Sequence, residues 1–535
     1  MIKSKNKFDI RVFGSTYEEI RKNFVWPQKF NFIESVDENS GIALIEDSKE
    51  IKYQEIKERS NGVSKFLKEL GVKKGDIVAG MLPQGFNLLS ALLGSYKNGS
   101  IYLSMSILFG TDAIKFRLNH SKASVVFTTS EYVKKIKEVY NTIIVSDDGG
   151  DYNYDDIEKV SIIEYNEVKE NEPIHLFYTS GTTGEPKGVL LPKSWILGHL
   201  PAWQISLDFP KEKEIFITPA EWAWIGGLGD LVLPALYYGN TVITYKRQGK
   251  FDPIDFLDVL ENYKVNGTFM VPTAIRMLKN HENEVKKYNL ELKAIISGGE
   301  VVNPDLITWT KNNMNTDLNQ IYGQTEANLV ICNSPLIMKV KPEYTGPECP
   351  GHKVLILDEE GKEVTNTIGE IAIKLPDPSA MIEYYKNPDA TKLKIKNNIL
   401  FTGDMGYIDN EGYIKFVGRK DDIVKVSGYR LSALEIENEI SKHPSVASCA
   451  VVDIQDKIRG SIIVAFIVPK EGYKPDINLE NEIKTFVKNK LATYAYPRFI
   501  FFVDDLPKTV TGKLRRVELR KLAEKMIEDR ERSSS

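Results

Sequence analysis

The sequence predicts an α/β protein: a large multi-layer N-terminal domain with mostly parallel sheets, followed by a small, mobile α+β C-terminal domain. Three observations lead to this prediction: the length of 535 residues, short apolar runs that alternate with helical stretches, and a change of pattern near residue 420. Because one hydrophobic core rarely serves more than about 300 residues, the length alone indicates two or more domains. The composition, 42% hydrophobic and 27% charged, is typical of an ordinary globular chain.

The first 420 residues carry the alternation. Each apolar run is short, rich in β-branched residues and followed by helical spacing, which is typical of buried parallel strands. The runs are IVAGMLP (77–83), ASVVFTT (123–129), EIFITPA (214–220), TVITY (241–245), GTFMVPT (267–273) and AIISGG (294–299). Ligands of such sheets gather at the carboxyl ends of the strands, so we expect the site there.

The last part of the chain has a smaller set of elements. In order they are DIVKVSGY, a helix from Ser432 to His443, SCAVVDI, SIIVAFIVP, a helix near 478–491 and RFIFFVDDLP. This set predicts a domain of residues 421–535, separate from one of residues 1–420. The charged segment GRKDDIV (418–424) is too short for a flexible tether and is placed to act as a hinge.

Charge and cysteine content exclude several classes of protein. The formal charge of -4, from 70 basic and 74 acidic side chains, gives no field that would gather nucleic acid or an anionic membrane. Cys332, Cys349 and Cys449 show neither a disulfide framework nor metal-ligand spacing. No run reaches the length of a membrane span, and the basic start lacks the apolar stretch of a signal peptide. We therefore expect a cytoplasmic protein whose partners are small molecules, with no nucleic acid and no membrane span.

The strongest motif is Tyr178-Thr-Ser-Gly-Thr-Thr-Gly-Glu-Pro-Lys-Gly188, directly after the apolar segment IHLF. Its glycines allow close backbone approach to phosphate, its hydroxyls and amides donate hydrogen bonds, and Lys187 supplies positive charge. It is not a Walker P-loop, because Pro186 precedes the lysine and Gly188 follows it. A surface turn is the alternative, but eleven specified positions in register favour phosphate binding. The candidate residues are Thr179, Ser180, Gly181, Thr182, Thr183, Gly184 and Lys187, with Thr183 and Lys187 also candidates for catalysis.

This loop resembles the phosphate-loop signature of the acyl-adenylate-forming superfamily of acyl-CoA synthetases, luciferases and peptide-synthetase adenylation domains. Tyr322-Gly-Gln-Thr-Glu326 matches the second core motif of that superfamily. The resemblance implies that the tyrosine packs on adenine, the threonine contacts phosphate and Glu326 holds magnesium, a hard cation that prefers carboxylate and phosphate oxygens. The residues implied to bind the nucleotide here are Gln320, Tyr322, Gly323, Gln324 and Thr325.

Two further segments extend the resemblance toward the predicted hinge. In Phe401-Thr-Gly-Asp404, the resemblance places Asp404 on the ribose hydroxyls, which suits an ionised acceptor. It assigns Arg419 to the nucleotide and makes Asp421 the point about which the C-terminal domain turns. A salt-bridged surface turn is the alternative for the charge run 419–422.

The C-terminal segments complete the resemblance in the order of the family. Ser427-Gly-Tyr-Arg430 resembles the segment that lines the pantetheine tunnel after domain rotation, with Ser427, Gly428 and Tyr429 along it and Arg430 facing the nucleotide. Leu506-Pro-Lys-Thr-Val-Thr-Gly-Lys513 resembles the C-terminal catalytic loop, in which Lys513 reaches the α-phosphate and the substrate carboxylate.

The activity implied by the resemblance is an AMP-forming acyl-CoA synthetase that uses ATP, Mg²⁺ and coenzyme A. Joining a carboxylate to a phosphate brings two anions together, so positive charge and positioning matter more than acid–base catalysis. The stretch 496–513 is especially similar to medium-chain acyl-CoA synthetases, which implies that Arg459, Tyr496 and Arg498 contact coenzyme A. Ordinary surface arginines are the alternative, and Leu108 stands where those enzymes carry a glutamine that contacts coenzyme A.

The resemblance implies three residues of the acid pocket, Trp224, Gly323 and Thr325. Acetate-specific relatives carry a tryptophan at the position of Gly323, so glycine is expected to leave space for a longer acid. This favours a short- to medium-chain fatty acid. A core position is the alternative for Trp224, which aligns with a pocket-wall tryptophan better than Trp222 does.

Two rival functions remain open. An aryl- or hydroxy-acid CoA ligase would share every motif and differ only in its pocket, whereas a non-catalytic nucleotide-binding sensor would keep the cleft and lose the chemistry. The register around Lys513 also resembles a site of lysine acetylation, which would remove its charge and implies an acetyltransferase and a deacetylase as partners. A homo-oligomer is compatible with the resemblance. The sequence does not select the physiological acid, the pathway or the oligomeric state.

Overall fold

The computed structural model describes residues 10–179, 185–246, 251–420, 423–426, 429–456, 460–490, 496–508 and 514–534. These residues confirm a mixed α/β fold in which two eight-stranded sheets, both mostly parallel, form the larger part. All six apolar runs singled out in the sequence contain strands of these two sheets.

The first eight-stranded sheet has six parallel inner strands and one antiparallel strand at each edge. In sheet order its strands are Ala327–Cys332, Asp317–Gln324, Ala294–Ser297, Gly267–Phe269, Ile215–Ile217, Thr241–Ile243, Ile42–Glu46 and Lys49–Lys52. The short inner strands are almost entirely buried, since helices cover both faces of a parallel sheet.

The second eight-stranded sheet has six consecutive parallel strands and two antiparallel strands at one edge. In sheet order its strands are Glu383–Tyr384, Lys187–Pro192, Pro173–Thr179, Ile101–Ser104, Ile77–Met81, Val125–Thr128, Ile143–Ser146 and Tyr152–Asn153. A third sheet is antiparallel and consists of Val354–Leu357, Ile368–Lys374, Ile399–Ile408, Ile395–Lys396 and Ile414–Arg419.

The helices of this larger part pack on and between the sheets. They are Tyr17–Asn23, Phe32–Glu38, Tyr53–Glu69, Phe86–Asn98, Thr111–Ser121, Ser130–Val139, Trp195–Ser206, Ile225–Gly227, Leu233–Tyr237, Pro253–Asn262, Pro272–Lys279, Glu282–Val285, Pro304–Met314 and Pro388–Lys394, with a 3₁₀ turn at Tyr154–Asp156 and a π-helix at Leu228–Val232. The main hydrophobic core joins residues of both eight-stranded sheets, and every residue of the helix Trp195–Ser206 is buried.

After residue 422 the strands pair only with one another in the described part of the chain. The strands are Ile423–Val426, Tyr429–Ser432, Val446–Asp456, Gly460–Pro469 and Phe499–Phe502, and the helices are Ala433–Ile440, Ile477–Lys490 and Arg516–Ser534. Two separate hydrophobic clusters serve this region. Each expected segment contains a strand or helix, with the helix expected at Ser432–His443 shortened to Ala433–Ile440, and the helix Arg516–Ser534 was not expected. The domain boundary at 420/421 and rotation about Asp421 stay predictions.

Candidate active site

The candidate nucleotide site is built where the hairpin Asp317–Gln324/Ala327–Cys332 meets the strand Ile399–Ile408. The Tyr322 hydroxyl donates to Oδ2 of Asp404 over 2.8 Å, and Nε2 of Gln324 donates to the same oxygen over 2.5 Å. Asp404 is 4% exposed, and burial raises its pKa although these donors and Arg419 oppose the rise. The two motifs, about 80 residues apart, therefore meet at one carboxylate.

Two cations adjoin this carboxylate. Nε of Arg419 lies 3.7 Å from Oδ1 of Asp404, and 42% of the Arg419 side chain remains exposed. Nζ of Lys394 donates to Oε1 of Gln324 over 3.0 Å and to the carbonyl of Thr402 over 2.8 Å. Burial lowers the pKa of Lys394. The site thus combines an acceptor suited to hydroxyl groups with positive charge suited to an anion.

The turn after Gln324 carries Glu326, which is 8% exposed. The Tyr384 hydroxyl donates to Oε1 of Glu326 over 2.5 Å, and the Glu326 carbonyl accepts from the amide of Met381. In the described part of the chain no donor reaches Oε2. One carboxylate oxygen is therefore held by the protein and the other is available, which fits a Mg²⁺ ion that takes most of its ligands from phosphate and water.

Lys187 faces the same corner of the site. It begins the strand Lys187–Pro192, its side chain is exposed, and its Nζ lies 5.2 Å from the centre of the Tyr384 ring. Thr179 ends the preceding strand and pairs with Lys187. The two ends of the predicted phosphate loop are thus fixed next to the tyrosine that holds Glu326.

Ten predicted residues lie outside the described residues. They are Ser180, Gly181, Thr182, Thr183, Gly184, Asp421, Ser427, Gly428, Arg459 and Lys513. Tyr429 and Arg430 belong to the strand Tyr429–Ser432, of which only the backbone is described. Their assigned roles stay predictions.

The structure gives Gln320 a different set of partners from the nucleotide. Its Nε2 donates to the carbonyls of Pro342 and Tyr344, both over 3.1 Å, and the residue is 6% exposed. Both amide hydrogens therefore hold the loop around residue 343, so nucleotide binding by Gln320 stays a prediction that can involve only its Oε1. Thr325 lies in the turn of the hairpin, between Gln324 and Glu326.

The side of Gly323 on which a Cβ atom would lie is filled, whereas an open acid pocket at this residue stays a prediction. A Cβ atom on Gly323 would lie 2.4 Å from Oδ1 of Asn328 and 2.5 Å from the amide nitrogen of Leu329. The cause is the register shift of the hairpin between Tyr322 and Gln324, which brings the partner strand against the glycine. The sequence could not show that Asn328 occupies this space.

Trp224 and Trp222 differ in environment. Trp222 is 1% exposed and belongs to the main core. Trp224 is partly buried, its Nε1 donates to Oε2 of Glu221 over 3.2 Å, and its ring packs edge-on against Phe109 at 5.8 Å. Of the two, Trp224 is the one accessible enough to border a pocket, and its contact with an acid stays a prediction.

Tyr496 and Arg498 lie at the entrance to the strand Phe499–Phe502. Tyr496 packs against a C-terminal hydrophobic cluster, and Arg498 is exposed. None of the side-chain hydrogen bonds or ion pairs found among the described residues joins either of them to Asp404. Their contact with coenzyme A therefore stays a prediction. Leu108 is 59% exposed.

Sequence reasoning missed Lys394 and Tyr384. Neither lies in one of the matched motifs, yet Lys394 orients Gln324 and Tyr384 holds Glu326. The available signal was weak: both residues stand in the short segment 383–396, rich in lysine and tyrosine, that precedes Asp404.

A mostly parallel α/β core with a buried carboxylate and two cations at this hairpin fits a nucleotide-using enzyme. The family of AMP-binding enzymes matches residues 35–385, and the C-terminal domain of AMP-binding enzymes matches residues 435–513. The chain belongs to this family, and it is an AMP-forming ligase of the adenylate-forming superfamily.

Individual relatives resemble the chain over most of its length. Acetyl-coenzyme A synthetase of Bacillus subtilis is 35% identical over 484 residues, 87% of this chain and 83% of that protein. 4-Hydroxybutyrate–CoA ligase 1 of Metallosphaera sedula is 32% identical over 519 residues, 93% of this chain and 91% of that protein. The solved structure of the anthranilate CoA ligase AuaEII in complex with anthranoyl-AMP has a TM-score of 0.84 and 25% identity, and covers 94% of this chain and 98% of that one.

A helix that spans a membrane needs about 20 mainly apolar residues. In the parts of the chain that the structure describes, none of the helices has that combination of length and apolar character.

Proposed function

We propose that the chain is an acyl-CoA synthetase that converts a short- to medium-chain carboxylic acid, ATP and coenzyme A into acyl-CoA, AMP and diphosphate. The observation that carries the proposal is the convergence of Tyr322, Gln324 and Arg419 on Asp404. Relatives named for CoA ligation over more than four-fifths of the chain support the same reaction.

In the first step a carboxylate oxygen of the acid attacks the α-phosphorus of ATP. The new C–O–P linkage forms as the bond between the α- and β-phosphates breaks, and diphosphate leaves. Arg419 contributes positive charge at the nucleotide, Lys394 orients Gln324, and Oδ1 of Asp404 accepts hydrogen bonds from the ribose hydroxyls. Because no proton has to move in this step, positioning and charge carry the catalysis.

Magnesium fits the donors around Glu326. Oε2 of Glu326 would hold the ion while Tyr384 fixes the other oxygen, and Lys187 would face the phosphates from the adjoining strand. When bound, Mg²⁺ neutralises charge on the phosphates of ATP. The described residues contain no group of three or more His, Cys, Asp or Glu side chains for a metal, so such an ion would depend on phosphate oxygens.

In the second step the thiol of coenzyme A attacks the carbonyl carbon of the acyl-adenylate. The C–S bond forms, the C–O bond to AMP breaks and the thiol proton passes to solvent. By resemblance, the C-terminal domain turns about Asp421 between the steps, withdrawing Lys513 and bringing the segment around Gly428 to the site. Arg430, Arg459, Tyr496 and Arg498 are the residues proposed to meet the nucleotide and coenzyme A in that state.

Regulation and assembly are proposed on the resemblance alone. Acetylation of Lys513 would remove its charge and stop adenylation, with an acetyltransferase and a deacetylase as partners. The chain is also proposed to act in the cytoplasm, and a homo-oligomer is compatible with the proposal.

The test is an assay of AMP and diphosphate release by purified protein with ATP, Mg²⁺, coenzyme A and acids from acetate to octanoate, plus hydroxy and aryl acids. We expect AMP formation that requires both acid and coenzyme A and is greatest for one chain length between C3 and C8. ATP binding without AMP formation for any acid would refute the proposal and favour the sensor. Equal AMP formation with and without coenzyme A would refute the thioester step.

A further inference from the structure

Three buried side chains, His199, Asp230 and Asn328, form a polar cluster next to Gly323. Oδ1 of Asn328 lies where a Cβ atom of Gly323 would be, at 2.4 Å. Gly226, two residues after Trp224, lies on another side of the cluster: a Cβ atom there would be 3.7 Å from Oδ2 of Asp230. The cluster therefore adjoins both glycines, next to the residues predicted to border the acid.

Each member of the cluster is supplied by a different element. His199 lies in the buried helix Trp195–Ser206, and Asn328 lies in the strand Ala327–Cys332. Asp230 lies in the π-helix Leu228–Val232. A π-turn interrupts regular helical hydrogen bonding at some cost and occurs frequently at functional sites, where it re-aims a side chain.

The hydrogen bonds within the cluster can be assigned completely. Nδ1 of His199 lies 2.8 Å from the carbonyl of Trp195, so Nδ1 carries the proton and Nε2 is an acceptor. Nδ2 of Asn328 donates to Oδ1 of Asp230 over 2.5 Å and contacts Nε2 of His199 at 3.2 Å. Burial lowers the pKa of His199 to about 4, which agrees with a neutral ring.

Two acceptors are left over after this assignment. No donor from the described residues reaches Oδ2 of Asp230 or Oδ1 of Asn328. Both residues are 5% exposed, so the two oxygens have little contact with solvent although neither is fully enclosed. A buried acceptor without a donor is unfavourable, and a ligand that supplies a donor to it gains affinity and selectivity.

The charge of the cluster favours a neutral donor over a cation. Burial raises the pKa of Asp230 well above its ordinary value, and Asn328 opposes this with a single hydrogen bond. A hydroxyl can donate to an ionised carboxylate and can also accept from a protonated carboxyl group, so it fits both states. An ammonium group fits only the ionised state, and its own burial would be costly.

We propose that the acid activated by this enzyme carries a hydroxyl group that hydrogen-bonds to Asp230 and Asn328. This rests on the proposed function, since it names the class of acid for the same site. The acid is thus a short- to medium-chain hydroxy acid rather than an unsubstituted fatty acid.

The test compares kcat/KM for AMP formation with pairs of acids of equal length, from C3 to C8, with and without a hydroxyl at each position along the chain. We expect one hydroxy acid to exceed its unsubstituted partner by at least about 100-fold, because a site built for a hydroxyl rejects the analogue that lacks it. The amino acid of the same length is expected to be a poorer substrate than the hydroxy acid.

Two variants, Asp230→Ala and Asn328→Ala, test whether the cluster causes the preference. Each is expected to reduce the ratio of hydroxy to unsubstituted acid at least about ten-fold while AMP formation from the unsubstituted acid persists. Asn319→Ala is the matched control: Asn319 is also a buried asparagine, but its Nδ2 donates to the carbonyl of Ser206. This control should keep the wild-type ratio.

The outcomes separate this inference from the proposed function. If unsubstituted acids form AMP as well as their hydroxy partners at every length, only the hydroxy-acid inference fails. A preference for the amino acid, or a hydroxyl preference that survives in both variants, also overturns it. If no acid of any kind forms AMP, both proposals fail. The comparison of acids with wild-type protein decides the matter even if a variant does not fold.

Discussion

Asp404 and Asp230 are both buried aspartates near the candidate site, yet the protein treats them differently. Asp404 accepts from Tyr322 and Gln324 and has Arg419 3.7 Å away, whereas Asn328 is the one donor that reaches Asp230 among the residues described. The difference teaches that burial alone does not identify the role of a carboxylate. A carboxylate supplied with donors is held in place in advance, and one short of donors is complementary to a ligand that brings its own.

The largest effect is expected from removing the carboxylate that the protein holds best. In Asp404→Ala, kcat/KM for ATP should fall by about 30- to 5,000-fold, since truncating one member of a buried hydrogen-bonded charge cluster costs about 2–5 kcal/mol. The measurement is AMP formation against ATP concentration. Asp409→Ala is the control: Asp409 directly follows the same strand and is one of two carboxylates that pair with Lys341, so ATP use should stay near wild type. A loss below ten-fold in Asp404→Ala would contradict the role that distinguishes Asp404 from Asp230.

A third buried aspartate, Asp377, has hydrogen-bond partners within the protein for both of its carboxylate oxygens. Its Oδ2 meets Nδ1 of His352 at 2.7 Å, and its Oδ1 accepts from the backbone amide and the hydroxyl of Ser379. The pKa of His352 is raised, because the attraction of Asp377 outweighs the lowering caused by burial. The pKa of Asp377 is lowered, because the interaction with His352 outweighs the rise caused by burial. His352→Ala should therefore destabilise the protein by about 3 kcal/mol by leaving a buried charge unpaired.

The pH dependence of this loss follows from the two directions. A raised histidine pKa gives stability that is complete below the unfolded value of about 6.5 and is lost as pH rises through the folded pKa; a lowered aspartate pKa gives stability that is complete above about 3.9 and is lost as pH falls through the folded pKa. Denaturant unfolding should show the largest penalty between about pH 4 and 6.5. His281→Ala, which alters an exposed histidine, should change little. A pH-independent penalty would contradict the charged pair.

Glu326 is intermediate between Asp377, whose two oxygens both have partners, and Asp230, which has few donors, because Tyr384 holds one of its oxygens. Tyr384→Phe should raise the KM for magnesium ATP about ten-fold, because a hydrogen bond to a charged group contributes about 1.5–3 kcal/mol. Titration of AMP formation with Mg²⁺ and ATP measures the change. Tyr385→Phe is the matched control, since that hydroxyl donates to the carbonyl of Ser121 and not to Glu326. Equal behaviour of the two variants would remove Tyr384 from the site.

The smallest effect is expected at Lys394, which acts on Asp404 through Gln324. Lys394→Met should raise the KM for ATP several-fold and leave kcat nearly unchanged. Because burial lowers the pKa of Lys394, the wild-type KM should begin to rise with pH below the ordinary lysine range near about 10.4. The variant should lack this alkaline rise. Lys392→Met, on the exposed side of the same helix, should keep the alkaline rise of the KM. If Lys394→Met also keeps that rise, the role given to Lys394 is wrong.

Sequence reasoning reached the parts of the molecule that are encoded locally. The six apolar runs contain strands, and each could be recognised from a short contiguous segment. The motifs around Tyr322 and Asp404 could be recognised in the same way, and the two meet in space. The Asp230 cluster was not accessible in this way. His199, Asp230 and Asn328 are ordinary polar residues spread over about 130 positions, and only the packing of a helix, a π-turn and a strand brings them together.

Gly323 shows a second limit of reasoning from the sequence, because the packing around a residue cannot be read from its type. The comparison with acetate-specific relatives, which carry a tryptophan at this position, suggested free space. The space beside a glycine belongs to whichever neighbour packs there, and here a shifted hairpin register delivers Asn328. Residue type could not reveal this, because register depends on the partner strand.

The hairpin Asp317–Gln324/Ala327–Cys332 carries parts of both candidate sites within seven residues, from Tyr322 to Asn328. A substitution at Asn328 therefore alters the hairpin that also carries Tyr322 and Gln324, whereas Asp230 stands on the π-helix Leu228–Val232, which supplies none of the contacts of Asp404 found among the described residues. Descendants of this enzyme, natural or engineered, should accordingly acquire new acids by substitution at position 230 before position 328. In a laboratory selection for activity on a new acid, substitutions at position 230 should appear in earlier rounds than substitutions at position 328.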